Sequence, residues 1–105
     1  MKNDKIFNRL RIPFIKRGEV TLVPKENVLK DIEILQNNGY KLLGFDAIIL
    51  TEKTIQPSMN YSIDYTSTTY NKDLSNAYIP TKSEIENFFV SVADEITHFE
   101  IVFDY

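Results

Sequence analysis

The sequence predicts an α+β fold: two main helices packed on one face of a mostly antiparallel four-stranded sheet. Two stretches carry apolar residues at helical spacing, four carry the alternation or apolar continuity of strands, and they follow one another as β-α-β-β-α-β. That order matches the ferredoxin-like split βαβ arrangement. At 105 residues the chain is one domain, residues 1–105, with room for a single core.

Residues 1–17 form a basic segment (Lys2, Lys5, Arg9, Arg11, Lys16, Arg17) that admits a short helix. Gly18 reads as a turn, and residues 19–23 as a short β-branched strand. A helix is expected over residues 24–38, entered at Pro24 and left at Asn38-Gly39, with Val28, Leu29, Ile32 and Leu35 on one face. Lys41–Leu50 is almost continuously apolar, so it reads as a strand buried on both sides, with Asp46 as the exception. The ferredoxin-like order places this second strand at an edge, which conflicts with that apolar continuity.

Residues 60–66 alternate, with Tyr61, Ile63 and Tyr65 opposite Ser62, Asp64 and Thr66. A polar stretch then leads to Thr81-Lys82-Ser83-Glu84, a capping-box pattern. From there Ile85, Phe88, Phe89, Val92, Ala93 and Ile96 hold helical spacing. Asp94 and Glu95 fall near the expected helix end, where a cation is preferred. Residues 98–105 alternate again, with Phe99, Ile101, Phe103 and Tyr105 opposite His98, Glu100, Val102 and Asp104.

Several chemistries are disfavoured at once. The chain has no cysteine, hence no disulfide, thiolate metal site or Cys nucleophile. Its three glycines are isolated, so no phosphate-binding loop is present. The single histidine sits on a strand with no Ser-His-Asp pattern around it. His98, Glu100 and Asp104 share a strand face, yet Asp104 lies ~20 Å from His98 along an extended chain, so a metal site would need Asp64 from a neighbour. The expectation is therefore no enzyme, no cofactor and no metal. Tyr61 and Tyr65 could stack on RNA, but Asp64 between them would repel phosphate and the RNA-recognition motif is absent. Neither nucleic acid nor membrane is expected as a partner, and the absence of cysteine and of a signal-like apolar run points to the cytoplasm.

The net charge of −3 is unevenly placed. Residues 1–52 carry +2, whereas residues 53–105 carry −5 together with five of the six tyrosines. Tyrosine gives large contact area at low entropic cost, and acidic groups around it steer a basic protein partner. The candidate partner-binding residues are Glu52, Tyr61, Asp64, Tyr65, Tyr70, Asp73, Tyr78, Asp94 and Glu95.

Three runs in the middle of the chain sharpen this: Gly39-Tyr40-Lys41-Leu42-Leu43-Gly44-Phe45-Asp46-Ala47, Thr54-Ile55-Gln56-Pro57 and Tyr61-Ser62-Ile63-Asp64-Tyr65. They resemble the bacterial immunity protein 40 family of polymorphic toxin systems, best over residues 39–65 and loosely over residues 18–105. The resemblance implies a small α+β protein that binds a cognate toxin and neutralises it by stoichiometric occlusion. The alternative is a small non-enzymatic binding or regulatory module of phage or mobile-element type, homodimeric through an edge strand and without a toxin partner.

Overall fold

The computed structural model describes residues 3–65 and 79–104. It is α+β, with three helices and a five-stranded antiparallel sheet. In chain order these are α1 (Asn3–Leu10), β1 (Ile15–Arg17), β2 (Val20–Pro24), a 3-10 turn (Lys25–Asn27), α2 (Val28–Asn37), β3 (Lys41–Leu50), β4 (Ile55–Asp64), α3 (Lys82–Val90) and β5 (His98–Asp104). The expected four strands and two main helices thus undercount the described elements by β1 and α1.

Strand order across the sheet is β1-β2-β5-β3-β4. This overturns the ferredoxin-like arrangement and explains the conflict noted above. β3 is bonded on one side to β4 and on the other to β5, so its two-sided apolar run belongs in the sheet interior. β2 and β3 both run antiparallel to β5 and hence parallel to each other, with α2 connecting them. β4 and β5 are likewise parallel, with β3 between them and α3 in the connection. Two split βαβ units are interleaved, each supplying the strand that separates the other's pair.

One cluster gathers the buried apolar residues of all three helices and one sheet face: Ile6 and Phe7 of α1, Val28, Ile32 and Leu35 of α2, Ile85 of α3, and Val23, Phe45, Ala47, Phe99 and Ile101 of the sheet. Phe45 is its centre, with Tyr65, Phe88, Phe89 and Phe99 at ring distances of 5.9, 5.0, 5.1 and 5.7 Å. Leu29, expected on this buried face, is instead 40% exposed. Leu22 and Ile48 are buried outside this cluster, on the strand faces opposite Val23 and Ala47.

The helices end for readable reasons. After α2 the Gly39 N–H donates to the Gln36 carbonyl (3.1 Å) and the Tyr40 N–H to the Leu35 carbonyl (3.0 Å), with Gly39 at φ +86°. This is a Schellman motif, and the glycine makes it inexpensive. α1 closes the same way, the Arg11 N–H donating to Asn8 (3.2 Å) and the Ile12 N–H to Phe7 (2.8 Å), but here Arg11 takes φ +60°. Arg11→Gly is therefore expected to stabilise the fold by about 0.5–1 kcal/mol, read as a higher urea midpoint at unchanged slope. α3 starts as expected, the Glu84 N–H donating to Thr81 Oγ1 at 3.2 Å. It stops at Val90, because the Ser91 hydroxyl donates to the Phe88 carbonyl at 2.8 Å and the chain turns away. Val92, Ala93 and Ile96 keep helical spacing in sequence without being helical, so Asp94 and Glu95 sit in a turn rather than at a helix end.

Thr97 ties three segments together. Its carbonyl accepts from the Lys25 N–H (3.0 Å), its N–H donates to the Ile48 carbonyl (3.0 Å), and its hydroxyl accepts from the Leu50 N–H (2.9 Å). His98 Nδ1 lies 2.9 Å from the same hydroxyl. Thr97→Val keeps the shape but leaves the Leu50 N–H without its acceptor, so a loss of about 1–2 kcal/mol is expected in chemical denaturation.

Candidate functional site

Bulges in the two ladders of β3 shape the sheet face away from the helices. Between β3 and β5, Leu42 faces Phe103 and Gly44 faces Val102, so Leu43 is an extra residue. Between β3 and β4, two steps (Phe45 to Ala47) match five (Ile63 to Ser58), so β4 carries three residues more than the ladder needs. Ser62 holds this loop-out shut: its hydroxyl accepts from the Ala47 N–H (3.0 Å) and donates to the Ser58 carbonyl (2.8 Å). Met59 sits on the loop-out, 82% exposed.

The bulges frame a depression of about 310 Å³ lined by Leu43, Gly44, Asp46, Ile63, Asp64 and Val102. Asp46 lies directly opposite Glu100 across the β3–β5 ladder. Like charges in that relation repel. Burial pushes the Glu100 carboxyl above the usual carboxylate range, and the facing Asp46 adds to the rise. Further along β5, burial lowers the His98 pKa, the Glu26 charge opposes this and the Arg17 charge adds to it. Among the described residues no group of three or more His, Asp or Glu could hold a metal ion. An anionic recess fits a guanidinium or ammonium side chain, which would relieve the Asp46–Glu100 repulsion on entering.

The structure separates the residues expected to bind a partner. Asp64 lines the depression. Tyr61, from the same strand, is half-buried and packs against the core. Tyr65 is only 3% exposed, with its ring edge-on to Phe45, so it serves the core and offers a partner almost no surface. Glu52 lies in the exposed turn closed by Thr51 and Thr54, at the Leu50–Ile55 end of the β3–β4 hairpin. Asp94 and Glu95 are exposed just before Thr97, which bonds to Ile48 and Leu50, and so belong to that same end. Six residues of β3, or ~20 Å, separate Leu50 from the Gly44–Asp64 pair. Tyr70, Asp73 and Tyr78 lie outside the described residues.

Asp46 and Glu100 were not among the expected binding residues. The break in an apolar run at Asp46 and the polar alternation around Glu100 were the available signals, but only the strand register joins them. No protein-family model, curated protein or solved structure matches the chain. No described helix is long and apolar enough to cross a membrane.

Proposed function

We propose that the chain is an immunity protein of a polymorphic toxin system. It binds a cognate toxin domain and neutralises it by stoichiometric occlusion, without catalysis, in the cytoplasm of the cell it protects. The observation that carries this reading is the recess lined by Asp46 and Asp64, with Glu100 facing Asp46, which suits a basic side chain of a protein partner. Toxins that act on nucleic acids present basic clefts, and an acidic partner competes there with phosphate. The acidic residues at the far end of the sheet, Glu52, Asp94 and Glu95, then serve in long-range steering rather than contact.

The regulatory homodimer paired through a strand edge finds less support. Edge strand β4 contains Pro57, which has no N–H to donate, and its ladder is broken by the loop-out at residues 59–62. The other edge, β1, is three residues long.

Co-expression with the toxin encoded beside the gene tests the proposal. Growth should be restored by the native chain, and growth arrest that persists in its presence would overturn the reading. Neutralising the recess with Asp46→Asn and Asp64→Asn together should weaken toxin binding about 10–100-fold at an unchanged circular dichroism spectrum. Glu52→Gln with Asp94→Asn and Glu95→Gln should slow association and leave dissociation unchanged. Equal losses from both sets would place the contact elsewhere.

A further inference from the structure

The helix layer carries a second concavity, a groove of about 260 Å³ between α2 and α3. Its floor is Ile32 and Ile85, both buried, and its wall is Leu29. Leu29 belongs to the apolar stripe of α2 in sequence, yet the core does not take it, so the stripe is wider than the chain's own packing uses. Val90, one turn beyond Glu86 on the same flank of α3, is 86% exposed.

We infer that this groove is the interface of a two-fold homodimer, in which Leu29 of each copy enters the groove of the other. The rim charges select that occupant. α2 contributes Lys30 and Glu33, and α3 contributes Lys82 and Glu86. Each helix thus offers one cation and one anion, and the rim is neutral overall. A two-fold interface sets one patch against itself, so a one-signed rim would repel its mate whereas a mixed rim can pair each Lys with a Glu of the other copy. Within one chain the Lys82–Glu86 contact is long (4.0 Å) and exposed, contributes little, and leaves both groups available for such exchange. The acidic recess lies on the opposite side of the sheet, so dimerisation leaves it open and does not depend on the toxin reading.

Sedimentation equilibrium on the purified chain tests this. At about 100 µM the native protein should show twice the 12.2 kDa mass of the chain. Leu29→Asp should be monomeric there, with the native circular dichroism spectrum. Because Leu29→Asp also changes hydrophobicity, a charge exchange supplies the second arm. Glu33→Lys with Glu86→Lys, and separately Lys30→Glu with Lys82→Glu, should each weaken the dimer at least about tenfold, and mixing the two variants should restore it as a heterodimer. A monomeric native chain at this concentration would overturn the inference, including one that binds 8-anilinonaphthalene-1-sulfonate at Leu29, which would assign the groove to a foreign apolar ligand. So would a dimer indifferent to both the Leu29 and the charge variants.

Discussion

Gly44→Ala will destabilise the fold by about 3 kcal/mol, and the loss will come from a backbone collision rather than from lost contacts. A Cβ at position 44 would lie 2.2 Å from the Ile63 carbonyl oxygen and 3.2 Å from Asp64 Cα. Both belong to main chain held in the β3–β4 ladder, where Gly44 faces Asp64 and Phe45 faces Ile63. No side chain can rotate to make room, so the ladder must open where the recess is built. Gly18→Ala is the informative control. Gly18 has φ +59° and nothing within 4 Å of an added Cβ, so only conformational strain of about 1 kcal/mol is expected. Urea unfolding of both variants checks the contrast, and equal losses would show that the approach at Gly44 relaxes freely.

Asp31→Asn will raise stability at neutral pH by about 2–3 kcal/mol and remove one component of its pH dependence. Asp31 is 1% exposed on α2, and its Oδ2 has no hydrogen-bond partner. Burial pushes the carboxyl up to about 6 from an ordinary value of 3.8, against a smaller opposing effect of the Lys30 charge. Below the ordinary value the group is protonated in both the folded and the unfolded chain and has no differential effect. As pH rises from about 4 through 6 the unfolded chain releases its proton first, and stability falls. Above about 6 the loss is complete, amounting to about 3 kcal/mol, part of which the positive end of α2 offsets. The advantage of the Asn variant should therefore appear between pH 4 and pH 7 in parallel denaturation series. A constant difference across that range would show that the carboxyl finds a partner in solution.

What the sequence made legible was local. α2, β3 and β5 follow from patterns contained within ten residues: the apolar stripe with its glycine exit, the unbroken Lys41–Leu50 run and the alternation around Phe99. β1 was hidden because Ile-Lys-Arg has no strand pattern of its own. It exists through pairing with β2 across the Gly18-Glu19 turn and the 3.2 Å Lys16–Asp4 bridge to α1. The first half of β4 was hidden by Pro57, which an edge strand tolerates, and by a looped-out stretch that breaks its alternation. The end of α3 was overrun because helical spacing in sequence does not require the chain to remain helical past Ser91.

Strand order and the recess are not local properties. Asp46 and Glu100 are 54 positions apart in sequence and meet only through the β3–β5 register, itself shifted by the extra residue Leu43. Composition drew attention to tyrosines and to acids from residue 52 onward, but the core claimed Tyr65 and the length of β3 divided Glu52 from Asp64. The signal that would have found the recess was a charge inside an apolar strand, at Asp46. Its counterpart is legible only once the neighbouring strand is known.

The interleaving of the two split βαβ units also constrains the order in which the fold can be made. β5, the last of the five strands in chain order, is the middle strand of the sheet. Until it leaves the ribosome, β2 and β3 have no common neighbour, and the core faces of Val23 and Phe45 lack the Phe99 and Ile101 that they pack against. The hairpins β1–β2 and β3–β4 can form as they are synthesised, but they cannot join. Folding is thereby postponed until β5 has emerged, so a ribosome halted before residue 98 should release a chain open to proteolysis. A sheet made this way closes all at once or not at all.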